Sequence, residues 1–246
     1  MAAPEFAEES VEIHLAWVDD FDPDRLRATW LPRLPEDERA RHDRFAFAEK
    51  KHEFLVTRAL SRSVLGRALG EAPESLGFDL GPYGRPELRR RPGPAARALS
   101  FNLSNTRGLV ACAVAWGREV GVDVERMERR TDPLEVADRF FSAAETNALL
   151  ALPREEQRRR FFELWTLKEA YIKARGLGLA IPLAHFSFAL GESAAPSISF
   201  VPELPDAAST WWFEQAFPSA AHAMALAVRV APGERVRSVI RVVHSL

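Results

Sequence analysis

Three carboxylates in two short segments could serve one piece of chemistry. Asp123 and Glu125 lie in Gly121-Val122-Asp123-Val124-Glu125, and Glu169 lies in Trp165-Thr166-Leu167-Lys168-Glu169-Ala170. On a strand, Asp123 and Glu125 leave one face while Val122 and Val124 leave the other. Neighbouring carboxylates repel, and a cation between them removes the conflict. Mg²⁺ suits the role, because it takes oxygen ligands, keeps some waters and bridges carboxylates to phosphates. The second segment has helical periodicity at Phe162, Trp165, Leu167, Ala170, Tyr171 and Ala174, with Gly176 as its stop. Each segment also has a plainer reading. The first is a solvated strand end, and the second is an amphipathic helix whose Glu169–Lys173 pair contributes about 0.3–0.5 kcal/mol. Taken together, three acids flanked by Lys168 and Lys173 can hold a metal and the phosphates it neutralises, which is the logic of phosphoryl transfer.

These residues need a scaffold, and the composition allows one. The 246 residues are 47% hydrophobic and 28% charged, an ordinary globular balance, enough for one large domain or two smaller ones. With 33 basic and 35 acidic side chains, no global basic excess points to nucleic acid. The single cysteine, Cys112, sits in an apolar run and reads as a small buried hydrophobe. The acidic N-terminal stretch lacks the pattern of a signal peptide, and no apolar run approaches the ~18–20 residues of a membrane span. A cytoplasmic chain with no membrane partner is the expectation.

Strands are expected over 11–18, 76–80, 101–116 (as strand, turn, strand), 119–125, 186–190, 197–201, 211–215, 223–230 and 238–243. Helices are expected over 36–69, 133–141, 143–152 and 155–175, and a Gly/Pro/Arg-rich loop over 81–100. The order repeats. The segment from Phe54 resembles that from Phe161, Phe78–Leu80 resembles Phe188–Leu190, and the Ala/Val strand from Leu109 resembles that from Ala223, at an offset of about 110 residues. An internal duplication into halves 1–117 and 118–246 follows. On this alignment Arg62 occupies the position of Glu169, so the acid is not a demand of the scaffold.

The same residues resemble a known family. Gly121–Glu125 and Trp165–Lys173 are similar to the two signatures of 4′-phosphopantetheinyl transferases, in their larger, surfactin-synthetase-activating (Sfp-like) branch. Gly84-Arg85-Pro86, Phe101-Asn102-Leu103-Ser104 and Phe140-Phe141-Ser142-x2-Glu145 resemble three further family segments, in order along residues 36–190. The resemblance implies an α/β (α+β) pseudo-dimer of two similar halves, with the active site in the cleft between them. It also implies Mg²⁺ and coenzyme A, whose phosphopantetheine arm passes to a serine of an acyl or peptidyl carrier protein, releasing adenosine 3′,5′-bisphosphate. Asp123, Glu125 and Glu169 would bind the metal. Lys173 and Lys168 would bind phosphates, and Glu169, directly or through a metal-bound water, would accept the serine proton. Arg85 and Pro86 would line the adenine end. Ser104, Asn105, Lys50, Arg58 and, more loosely, Arg41 would contact the 3′-phosphate.

One departure is informative. The family usually has His where this chain has Asn105, so a charge-assisted contact becomes a neutral one of about half the strength, and the 3′-phosphate is expected to be held more weakly. Arg89-Arg90-Arg91 and Arg158-Arg159-Arg160 could steer an acidic carrier. Each half should supply one wall of the cleft, so a monomer is expected. The rival readings are a non-catalytic coenzyme A-binding relative and a Mg²⁺-dependent nuclease or phosphohydrolase. The sequence leaves open whether fatty acid, polyketide or nonribosomal peptide carriers are served.

Overall fold

A computed structural model describes residues 10–89, 98–128, 132–191 and 195–246. Arg90 and Arg91, two of the three arginines of the first patch, lie outside them. The chain divides into two compact units, Met1–Gly117 with Arg237–Leu246, and Arg118–Val236.

The first unit opens with β1 (Ser10–Trp17) and three helices, α1 (Pro23–Trp30), α2 (Glu36–Asp43) and α3 (Ala48–Leu69). A short hairpin of β2 (Phe78–Leu80) and β3 (Pro86–Leu88) follows, then a long hairpin of β4 (Leu99–Thr106) and β5 (Leu109–Trp116). The second unit repeats this order: β6 (Val120–Arg126), then α4 (Pro133–Phe140), α5 (Ala143–Leu150) and α6 (Arg154–Arg175). The short hairpin is β7 (Phe186–Ala189) with β8 (Ser197–Phe200), and the long one is β9 (Trp211–Ser219) with β10 (His222–Arg229). The sheets match strand for strand, β1-β5-β4 in one unit and β6-β10-β9 in the other. This shared topology is a mixed α/β fold of two similar halves, as the repeat in the sequence predicts.

The halves are not bounded as expected at the C-terminus. The last strand, β11 (Arg237–Val242), does not extend the second sheet; it pairs in parallel with β1, Ser10 facing Arg237 through Leu15 facing Val242. Residues 237–246 therefore belong to the first unit. Arg241 ties the pairing with a bond to the buried carboxylate of Glu12 at 2.8 Å.

Helices α3 and α6 are the spine of each unit. Both have 22 residues and both end on a left-handed glycine, Gly70 and Gly176, each at φ 66°. Val56, Ala59, Leu60 and Val64 of α3 pack in one core with Phe101, Val110, Cys112 and Val114. Leu167, Ala170, Tyr171 and Ala174 of α6 pack in another with Ala223, Ala225, Ala227 and Phe213. Cys112 is a buried hydrophobe in this setting, and burial pushes its thiol up to about 12. The helix expected over 36–69 is interrupted at 44–47, although no Gly or Pro is present. Phe45 turns inward there and its ring meets Phe54 at 5.5 Å, so packing overrides propensity. Helix α1 was not expected; Asp22 caps it and Pro23 opens it.

Candidate active site

Strand β6 presents Gly121, Asp123 and Glu125 toward α6, while Val120, Val122 and Val124 are buried on its other face. Gly121 is what allows the helix so close. A Cβ there would lie 2.1 Å from the Ala170 carbonyl oxygen and 2.4 Å from the Ala174 nitrogen. Opposite Gly121, Asp123 and Glu125 stand Ala227, Ala225 and Ala223 of β10. A glycine and three alanines thus make a flat floor, and α6 lies on it with Glu169 and Lys173 one turn apart.

Lys173 reaches Asp123, with its Nζ 2.6 Å from Oδ1 and 3.3 Å from the Val122 carbonyl. Glu169 lies within range of the same charges. Burial first and the negative charge of Asp123 second, against the opposing pull of Lys173, leave its carboxyl pushed up to about 6. Asp123 and Glu125 are both buried. Among the described residues no three His, Cys, Asp or Glu side chains converge as a metal-binding group; Lys173 is the cation on Asp123.

A carboxyl raised from 4.5 to about 6 binds its proton more tightly in the folded than in the unfolded protein. Folding therefore loses stability as pH rises through that window, by an amount approaching 2 kcal/mol above pH 6. Glu169→Gln should raise the melting temperature at pH 7.5 in EDTA and make no difference near pH 4.5, as calorimetric melts at both values would record.

Lys168 is not placed as expected. It is 0% exposed, and its three protons are taken by Glu145 at 2.8 Å and by the carbonyls of Leu183 and Phe186 at 2.8 and 2.7 Å. Burial lowers its pKa and Glu145 opposes the shift. No donor is left for a phosphate. Glu145 is itself anchored, accepting from the Ser142 nitrogen and hydroxyl and from the Phe188 nitrogen. The Ser142-x2-Glu145 capping box was the sequence signal for this partner.

The first unit repeats the device. Arg62, 1% exposed, pairs with Glu38 of α2 at 3.1 Å and donates to the carbonyls of Pro73 and Leu76 at 3.1 and 2.9 Å. Each long helix thus sends one buried cation to a glutamate on the preceding helix and to the chain leading into the short hairpin. Arg62 corresponds to Lys168, not to Glu169 as the sequence alignment suggests. Aligning the helices on their terminal glycines puts Ser63 opposite Glu169.

Of the residues expected on the 3′-phosphate, Lys50 and Asn105 come together on one carboxylate. Glu53 accepts from the Asn105 amide at 2.5 Å and from Lys50 at 3.1 Å. Arg58 and Arg41 approach the ring of Phe54, at 5.0 and 5.8 Å, and Arg58 also lies 3.7 Å from Glu38. Burial draws the Arg58 pKa down, against the pull of Glu38. Arg85 donates to the Phe101 carbonyl at 3.1 Å, Pro86 opens β3, and Ser104 is buried on β4. Among the described residues, the arginines expected to steer a carrier are engaged within the chain. Arg158 donates to the Met127 carbonyl, Arg159 and Arg160 hold Glu163, and Arg89 holds Asp79.

No helix among the described residues is long and apolar enough to cross a membrane. The family profile of the 4′-phosphopantetheinyl transferase superfamily matches residues 119–227, the stretch that carries β6, α6 and β10. Among characterised proteins, 4′-phosphopantetheinyl transferase HetI of Nostoc sp. is 39% identical over 171 residues, 70% of this chain and 71% of the relative. 4′-Phosphopantetheinyl transferase Sfp of Bacillus subtilis is 34% identical over 176 residues, 72% of this chain and 73% of the relative. A solved holo-(acyl-carrier-protein) synthase from Bacillus anthracis, in complex with CoA (3′,5′-ADP), aligns at 19% identity and a TM-score of 0.39, covering 46% of this chain and 96% of that one. The chain belongs to the 4′-phosphopantetheinyl transferase superfamily and is an enzyme of its Sfp-like branch.

Proposed function

We propose that the enzyme moves the 4′-phosphopantetheine arm of coenzyme A to a serine of an apo acyl or peptidyl carrier protein, using Mg²⁺. The observation that carries this reading is the juxtaposition of Asp123, Glu169 and Lys173 across the Gly121 floor. The donor set suits the ion, since Asp123, Glu125 and Glu169 offer only hard oxygens, and the charge of Asp123 on Glu169 is what a cation would relieve. When bound, Mg²⁺ would neutralise the pyrophosphate and stabilise the leaving group.

The chain's own groups account for the remainder. Glu169, with a carboxyl near pH 6, is ionised at neutral pH and still basic enough to take the proton of the serine hydroxyl. The serine oxygen bonds to the phosphorus that bears the pantetheine. The bond from that phosphorus to the bridging oxygen breaks, and adenosine 3′,5′-bisphosphate leaves with the electron pair. Lys173 neutralises Asp123 in this structure. With a divalent ion on that carboxylate, its ammonium would turn to a phosphate oxygen. In the first unit Lys50, Asn105, Ser104 and Arg58 would receive the 3′-phosphate, and Arg85 and Pro86 the adenine.

Titrating Mg²⁺ into EDTA-stripped enzyme with coenzyme A and an apo carrier tests the assignment. Transfer should rise from zero with Mg²⁺ in the wild type and be lost in Asp123→Ala and Glu169→Ala. Metal-independent transfer would remove Mg²⁺ from the account.

A further inference from the structure

The face of α6 turned away from Glu169 and Lys173 is held by a carboxylate of its own. Tyr171 and Arg175 lie one turn apart on the helix, each two residues beyond a member of that pair and so on the opposite side. Both donate to Oδ2 of Asp206, Tyr171 through its hydroxyl at 2.8 Å and Arg175 through its guanidinium. The same oxygen accepts from the Trp211 indole at 3.0 Å, while Oδ1 accepts from Arg229 at 3.1 Å and from the Ala207 nitrogen at 2.8 Å. Trp211 opens β9, Arg229 ends β10, and the two are register partners. Asp206 therefore joins the helix to one end of the sheet whose strand β6 carries Asp123. Its side chain is only 3% exposed. Burial works against its charge, but the bonds from Tyr171, Ala207 and Trp211 and the charge of Arg175 outweigh it and hold the carboxyl below its usual range.

We propose that Asp206 is a positioning residue for the transfer reaction, fixing the register of Glu169 and Lys173 against Asp123. The proposal rests on the transfer reading above. The floor beneath α6 is a glycine and three alanines. Such a floor lets the helix close in, but it offers no side-chain ridges to stop the helix sliding along its axis. A slide would part Lys173 from Asp123 while the apolar contacts of the helix largely persist. Asp206 supplies the stop. Its two donors come from successive turns of α6, so an axial shift of about 1 Å, enough to cost about a hundredfold in rate, would stretch both bonds together. The acceptor cannot follow the helix, because Trp211 and Arg229 hold it to the sheet. Two cations face this carboxylate, Arg175 from the helix and Arg229 from β10. An amide in its place would leave both guanidinium groups without the anion that draws them together.

The test separates positioning from stability. Wild type, Asp206→Asn and Tyr171→Phe are assayed at 25 °C with coenzyme A, Mg²⁺ and an apo acyl carrier protein. Tyr171→Phe drops one bond to Asp206 and keeps the ring packed on Phe186 and Trp211. Ile198→Ala, which empties a buried position on the short hairpin of the same unit, is the control for lost stability alone. Asp206→Asn should lower kcat by about tenfold or more, and Tyr171→Phe by about threefold, with KM for coenzyme A within about twofold of wild type in both. Ile198→Ala should melt earlier and keep its kcat. A folded Asp206→Asn with wild-type kcat would overturn the proposal, and so would a loss carried by KM or an equal loss of kcat in Ile198→Ala. If Asp206→Asn does not fold, Tyr171→Phe decides by the same criteria. If the wild type transfers nothing, the transfer reading fails by itself, and hydrogen exchange decides the role of Asp206. The amides of residues 171–175 should then exchange about tenfold faster in Tyr171→Phe than in wild type, with those of β6 unchanged. Equal exchange in the two proteins would overturn the positioning role.

Discussion

Lys168→Met should destabilise the protein by about 3–5 kcal/mol, because it leaves the buried Glu145 carboxylate without its countercharge. Two carbonyls, of Leu183 and Phe186, lose their donor at the same time. For a chain of this size the melting temperature should fall on the order of 10 °C. Lys168→Arg should recover at least half of the loss, since Arg62 solves the same problem in the first unit with Glu38 and two carbonyls. Urea unfolding of the three proteins, together with KM for coenzyme A, separates this role from the phosphate contact that the sequence suggests. A positioning lysine gives lost stability and lower kcat with KM little changed. A phosphate ligand would give near-normal stability and a raised KM.

Gly121→Ala should reduce transfer by about a hundredfold, the scale expected when catalytic groups move by ~1 Å. The added methyl would sit 2.1 Å from the Ala170 oxygen and 2.4 Å from the Ala174 nitrogen, both backbone atoms that no side-chain rotation can clear. The helix must lift or slide, and Glu169 and Lys173 move with it. Overpacking of this kind costs about 1–3 kcal/mol, so the variant should still fold. Its circular dichroism at 25 °C should match the wild type while kcat collapses. Unchanged kcat would mean that the register of α6 on β6 is not what sets the site.

Much of this was legible from residue order. The alternation of Gly121–Glu125 put two acids on one face, and the spacing of Glu169 and Lys173 put them one turn apart. Gly176 marked the stop of α6. Other features depend on packing that no local pattern carries. Helix α6 is buried around most of its circumference, so its periodicity could not tell that Lys168 points inward and Glu169 toward β6. The break before α3 follows from Phe45 turning onto Phe54, a contact between two elements. Parallel pairing of β11 with β1 joins the two ends of the chain, and the short apolar run at 238–243 has no feature that names its partner. Glu53 was invisible for the same reason, since Asn105 is distant in sequence and meets it only once β4 lies beside α3.

The central claim is tested most directly by intact-mass spectrometry of apo carrier proteins after incubation with the enzyme, coenzyme A and Mg²⁺. Acyl and peptidyl carriers from fatty acid, polyketide and nonribosomal peptide assembly would each be tried. The account predicts a gain of one phosphopantetheine arm on the carrier serine, with adenosine 3′,5′-bisphosphate released in equal amount, and no gain with Asp123→Ala or Glu169→Ala. Carriers that all keep their apo mass, or a gain that survives loss of Glu169, would contradict it.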